Sequence, residues 1–245
     1  MNSIIASMTN EMQKLMAKRI TILFLIAAAV LPVAIKLMVH NLPFMDWMAL
    51  PAENINFSIL DFFVKVMLPL FCFIAVADLF TGEAERGTLF PIRPINRFEL
   101  FISKTAAIGN MIGIQLILGS LSVVISSVFF DTSFLLEEVL TTFVAFFLSW
   151  FPLLVLIAFA VFTTSMVKSS VVAISILFSL YLAMIIFPVI FPASLYLLPS
   201  SYLDWYIQWL GDISFRWAAQ SFTYLSSLFA LLLASAFHFF NKKEA

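Results

Sequence analysis

Charge is scarce in this chain: 11% of its 245 residues are Asp, Glu, Lys or Arg, whereas a soluble domain carries about a quarter. With 63% hydrophobic residues, 29 Phe and a mean hydropathy of +1.08, a soluble globular fold is excluded, and a polytopic membrane protein is what remains. Cys72 is the single cysteine, so no intrachain disulfide forms, and it sits in an apolar run as a small hydrophobe with no assigned role. His40 and His238 are the only histidines and are expected at opposite membrane faces. With no HExxH, no His-rich cluster and no Ser/His pair on neighbouring spans, an intramembrane protease or a metal centre has nothing to be built from. Acids are missing from the middle of spans three to six, which argues against a proton-coupled carrier. A net charge of -1 gives no reason to expect nucleic acid. Glu11, Lys14, Lys18 and Arg19 precede the first apolar run, unlike a cleavable signal peptide.

What is present is apolar sequence of membrane-crossing length. Spans are expected at about 20–39, 59–80, 101–130, 139–163, 171–191 and 220–240, leaving little for a soluble domain, so residues 1–245 form a single transmembrane domain. The third is long enough to tilt or to extend beyond the bilayer. Pro32 in the first is tolerated where neighbouring groups satisfy the carbonyl it frees. Residues 3–19 place Ile4, Met8, Met12, Leu15 and Met16 on one helical stripe, with Ser7, Asn10, Glu11, Lys14 and Lys18 on the other side. That is the pattern of a basic amphipathic helix lying in the membrane surface; the alternative is simply the start of the first span.

Lysine and arginine in short loops set orientation. One side receives Lys14, Lys18, Arg19, Arg86, Arg93, Arg97, Lys104, Lys168, Lys242 and Lys243, the other Lys36 and Arg216, a ten-to-two split that puts both termini in the cytoplasm.

One long polar stretch lies between the apolar ones, 78–104, read DLFTGEAERGTLFPIRPINRFELFISK. Glu83 and Glu85 suit the positive end of a helix dipole, and Pro91 with Pro94 stops that helix, leaving about two turns over 82–90. Asn96 and Glu99 form a capping-box start for the next helix. Two turns are not stable alone, because nucleation costs more than so few bonds return, so the short helix needs a partner surface. Gly82 and Gly87 have the spacing of a phosphate loop, but Thr88 stands at the lysine position and Glu83 and Glu85 would repel phosphate.

Two further features stand out. Asp61 and Lys65 are one turn apart near the outer end of span two, in the orientation that favours an intramembrane ion pair, and Asp78 and Lys104 frame the inner ends of spans two and three as boundary charges. Residues 192–219 are rich in interfacial aromatics; Ser201 with Asp204 starts a helix of about ten residues that Gly211 ends. So short a helix dips into the outer leaflet and returns, unless the aromatics are only an interfacial belt.

The wording GEAERGTLFPIRPINRFELFISK resembles the cytoplasmic loop after the second span in permease subunits of the type-2 class of ABC exporters. The matching positions are Glu83, Glu85, Arg86, Gly87, Thr88, Leu89, Pro94, Arg97 and Lys104; Pro91-Ile92-Arg93 departs from the leucines or threonine common there. The resemblance implies an all-α integral membrane fold with six transmembrane helices, an amphipathic N-terminal interfacial helix, a cytoplasmic coupling helix and short re-entrant helices before span six. It also implies that Glu83, Glu85, Arg86, Gly87, Thr88 and Leu89 couple to a cytoplasmic ABC ATPase, present in two copies, beside a second permease copy or homologue. No cofactor is expected on this chain; ATP and Mg belong to the ATPase. A path along spans one, two and five would offer Phe62, Phe63, Met67, Phe71 and Phe73 as wall residues, and Tyr202, Trp205, Tyr206 and Trp209 would close its outer end. Such a wall suits a hydrophobic or amphipathic substrate, with a peptide favoured. The alternatives are a non-transporting membrane scaffold or sensor, and a secondary carrier.

Overall fold

The computed structural model describes residues 2–41, 55–82, 96–130, 136–192, 197–210 and 215–243, and every regular element among them is helical. In chain order these are α1 (Asn2–Met16), α2 (Arg19–Asn41), α3 (Ile55–Gly82), α4 (Arg97–Phe130), α5 (Leu136–Ser165), α6 (Ser170–Ile190), α7 (Trp205–Leu210) and α8 (Phe215–Lys243). A 3₁₀ turn, Pro199–Tyr202, precedes α7. Helices α2 to α6 and α8 are the six long and apolar enough to cross a bilayer. In hydrocarbon every backbone N–H and C=O must be satisfied within the chain, and a helix does this within each segment. Pro32, Pro152 and Pro188 lie inside α2, α5 and α6 without ending them.

The six spans are not equivalent. The most apolar windows of α3, α4 and α5 are 67%, 50% and 61% buried, against 17% for each of α2, α6 and α8. The first three form the core; the others pack around it, α2 on α4, α6 on α3 and α8 mainly on α5, and leave apolar surface to lipid or to another chain. Close packing decides some residues. A methyl group at Gly119 of α4 would sit 2.8 Å from the Phe63 ring and 3.1 Å from that of Phe146, so only glycine lets α3 and α5 meet α4 there. Phe80, Phe101, Phe237 and Phe240 join the ends of α3 and α8 to the start of α4, in ring contacts of 5.4 to 5.9 Å.

Helix α3 is jointed. Its α-helical course is interrupted by two wide π turns, Phe63–Met67 and Asp78–Gly82. A π turn shifts carbonyls off the regular ladder and makes them accessible to other donors, which is why such turns often sit at functional places.

Candidate functional site

The second π turn stands at the root of the polar loop, where α3 ends and α4 begins. The Leu79 carbonyl in that turn accepts a hydrogen bond of 2.7 Å from Lys104 Nζ of α4. Lys104 is 1% exposed and its ammonium lies 6.0 Å from the centre of the Phe80 ring. On its other side is Glu11 of α1, 2% exposed, with Oε2 4.0 Å from Lys104 Nζ, an ion pair too long for a hydrogen bond. Glu11 Oε1 takes a 2.6 Å bond from Lys14. Lys18, just beyond α1, pairs with Asp78. Ser103 donates to the Ile4 carbonyl at 3.3 Å, and the Asn110 amide lies 3.3 Å from Met8 Sδ. Helix α1 is thereby tied to both helices that carry the loop.

This differs from the sequence reading in one instructive way. Glu11 belongs to the polar stripe of α1, but it is buried beside Leu15 because that side of α1 turns towards α4, while Met16 of the apolar stripe is exposed. Lys104 is not a solvated boundary charge but an interior one. Lys36 likewise lies inside α2, 3% exposed, and donates to Ser127 Oγ of α4 at 2.5 Å; removing it from the loop count leaves Arg216 as the far side's cation. The expected coupling residues Glu83, Glu85, Arg86, Gly87, Thr88 and Leu89 lie outside the described residues. Asn96, at the root of α4, caps it by accepting from the Phe98 N–H at 3.2 Å.

A second charged cluster occupies the opposite end of α3. Lys65 Nζ lies 3.2 Å from Asp61 Oδ2 and 2.6 Å from Asp204 Oδ1, between the 3₁₀ turn and α7. Tyr206 donates to Asp61 Oδ1 at 2.6 Å, and Tyr181 of α6 donates to the Lys65 carbonyl at 2.7 Å, in the first π turn. Burial pushes the Asp204 carboxyl above its ordinary value, more than the neighbouring Lys65 pulls it down, and burial with the bond to Asp61 pushes the Tyr206 hydroxyl up. Asp204 therefore does more than start a helix. It joins the 197–210 segment to α3, a contact across some 140 residues of sequence that no local pattern announces. Of the aromatics there, Tyr206 and Trp205 are buried, Tyr202 is half-buried and Trp209 is 39% exposed.

Of the five wall candidates on α3, Phe62 lies open, while Phe63, Met67, Phe71 and Phe73 are at most 4% exposed in the single chain. The side chains of α3 that keep some exposure are those of residues 55–58 and of Asp61, Phe62, Lys65, Val66, Leu70, Ile74 and Asp78. Near the loop, Ile74 and Asp78 border a cleft of about 390 Å³ between α2 and α6, floored by Phe71 and Ile74 and rimmed by Lys18, Arg19, Thr21, Asp78 and Ser170. Among the described residues no group of three His, Cys, Asp or Glu side chains could hold a metal ion.

A family model described as ABC-2 family transporter protein matches residues 7–187, from α1 through most of α6. The chain belongs to the ABC-2 transporter family. No curated protein matches it closely enough to name a relative. As an ABC-2 permease, it is the membrane subunit of an ABC transporter, a multi-pass protein that works with an ATPase partner. The Glu11–Lys104–Leu79 cluster falls within the matched stretch; Asp204 and Tyr206 lie beyond it.

Proposed function

We propose that this ABC-2 permease exports a hydrophobic or amphipathic molecule, a peptide before a sugar or an ion, from the cytoplasm or inner leaflet across the plasma membrane. Both termini and the 83–95 loop face the cytoplasm. The unit is a pair of permeases with two ATPase subunits, and ATP and Mg are bound by the ATPases. On this reading the 82–90 segment is the coupling helix, gripped by the ATPase through Glu83, Glu85, Arg86, Gly87, Thr88 and Leu89.

The observation that carries this reading is the buried cluster at the loop's two roots. A loop that only met water would have no need to bind its flanking helices to α1 through an interior ion pair, since burying charge is costly unless it is paired. With Lys104 on the Leu79 carbonyl and Glu11 beside it, displacement of the loop moves the ends of α3 and α4 together and carries α1 along. The substrate class rests on the open side of α3. Phe62, Val66, Leu70 and Ile74 give an apolar strip with Asp61 and Lys65 beside its far end and Asp78, Lys18 and Arg19 at its loop end, so it suits an apolar body with a polar end at the cytoplasmic face. At the far end the Asp61–Lys65–Asp204 cluster holds the 197–210 segment against α3 as the outer closure.

The test is copurification from detergent. The native chain is expected to bring down an ATPase that has no membrane spans, and charge reversal at Glu85 or Arg86 is expected to lose it while membrane insertion persists. Unchanged copurification in both variants would remove the coupling assignment.

A further inference from the structure

The cleft between α2 and α6 is apolar at its floor and charged at its rim. Phe71 and Ile74 of α3 form the floor, and Asp78 stands seven residues beyond Phe71, about 10 Å nearer the loop along the helix. At that level lie Lys18, Arg19, Thr21 and Ser170. Lys18 pairs with Asp78, so those two charges offset each other. Arg19 is exposed and has no ion-pair partner among the described residues, which leaves the rim with positive charge in excess.

The backbone adds to that excess. The Ile22 N–H bonds to the Lys18 carbonyl at 3.2 Å, so α2 starts there and the N–H groups of Arg19, Ile20 and Thr21 have no acceptor in its ladder. All three residues line the cleft. Helix α6 also begins at the rim with Ser170, and Ser169 makes no side-chain capping bond to its first turn. Two positive dipole ends therefore meet at one cationic rim, an arrangement that favours an anion. Thr21 is a separate sign of a missing partner. It is 1% exposed yet lines the cleft, and its hydroxyl makes no hydrogen bond among the described residues, a cost that a bound acceptor would remove.

We propose that the cleft holds the anionic head of an amphiphile, a carboxylate or a phosphate, while the apolar body lies along Ile74, Leu70 and Val66. This rests on the reading of the α3 strip as the cargo's path. It narrows the cargo to a molecule whose cytoplasmic end is negative, such as an apolar peptide with a free C-terminal carboxylate. The rim selects by the head: an ammonium meets Arg19 with like charge, and a hydroxyl leaves the cation and both helix ends unmatched.

Photolabelling of the full chain in phosphatidylcholine nanodiscs tests it, with hexadecanoate carrying a diazirine in its chain as the probe. Label is expected on the α3 segment that contains Phe71 and Ile74. Hexadecyl phosphate is expected to compete, and hexadecanol and hexadecyltrimethylammonium are not. Arg19→Gln should weaken labelling about tenfold, the loss of one charged contact, and Asp78→Asn, which releases Lys18 to the ligand, should strengthen it. A merely structural part for these residues would weaken both, and that result overturns the proposal. An apolar peptide with a free carboxyl should displace the probe and the same peptide as its C-terminal amide should not; displacement by phosphatidylglycerol but by neither peptide would make the cleft a lipid-headgroup site and overturn the cargo assignment. Label on α3 that the alcohol and the ammonium displace as well as the phosphate does overturns the anion and leaves the path standing, whereas no label on α3 counts against the path as well.

Discussion

Replacing Lys104 by Met removes the ammonium while keeping a long apolar side chain in a site that is 1% exposed. Two groups lose their partner. The Leu79 carbonyl in the π turn is left without the 2.7 Å bond, and an unsatisfied buried acceptor costs about 1–3 kcal/mol. Glu11 keeps its 2.6 Å bond to Lys14 but loses the interior cation 4.0 Å from its other oxygen. A fully orphaned buried charge costs about 3–5 kcal/mol, and Lys14 offsets much of that, so a net loss of about 3 kcal/mol is expected. That is roughly a hundredfold in the ratio of docked to undocked α1. The assay is twofold: protease accessibility of α1 in proteoliposomes, and ATP hydrolysed per substrate moved with the ATPase present. Lys104→Met should expose α1 and raise the ATP consumed per transport event, and the double variant with Glu11→Gln should recover part of both losses. A variant whose α1 stays protected and whose ATP consumption per event is unchanged would refute the idea that this cluster links loop and helix.

Because burial holds the Asp204 proton more tightly in the folded chain than in the unfolded one, stability should fall as pH rises above the ordinary aspartate value of 3.8. Asp204→Asn should flatten that slope in thermal unfolding measured against pH, and an unaltered slope would reject the assignment. Gln115 is buried with neither amide atom hydrogen-bonded, so Gln115→Met should stabilise the detergent-solubilised protein by about 1–3 kcal/mol; destabilisation would mean that a partner exists in the folded chain. Gly119→Ala forces the Phe63 and Phe146 rings apart and should cost about 1–3 kcal/mol, read as a lower unfolding midpoint; no change would show that the rings yield freely.

The two charged clusters show where sequence reasoning reached and where it stopped. Asp61 and Lys65 are one turn apart on one helix, so their proximity is a local property of the helix and readable from spacing. Asp204 and Tyr206 come to the same place from the far end of the chain, and nothing in their own surroundings predicts it. Glu11 is harder still. Ser7, Asn10, Lys14 and Lys18 on the same stripe suggested a wet face, and Asn10 and Lys14 are indeed exposed, yet Glu11 alone among them is buried, where the Lys104 ammonium stands beside it. The first π turn does have a local mark: Pro69 has no N–H and stands four residues after Lys65, so the Lys65 carbonyl lacks its regular helical donor and is left for Tyr181.

Membership of the lipid phase, six crossings, an all-helical chain and the family itself were decided by sequence alone. Hydrocarbon imposes one requirement, that apolar stretches about 20 residues long satisfy their own backbone, and a linear pattern meets it without reference to anything distant. Which faces of those helices meet each other was decided only in three dimensions. With almost every side chain apolar, hydropathy no longer separates inside from outside, so Phe63 and Phe62 read alike until packing buries one and leaves the other open. In such a chain the few polar groups, placed by contacts between distant segments, determine how the helices are joined.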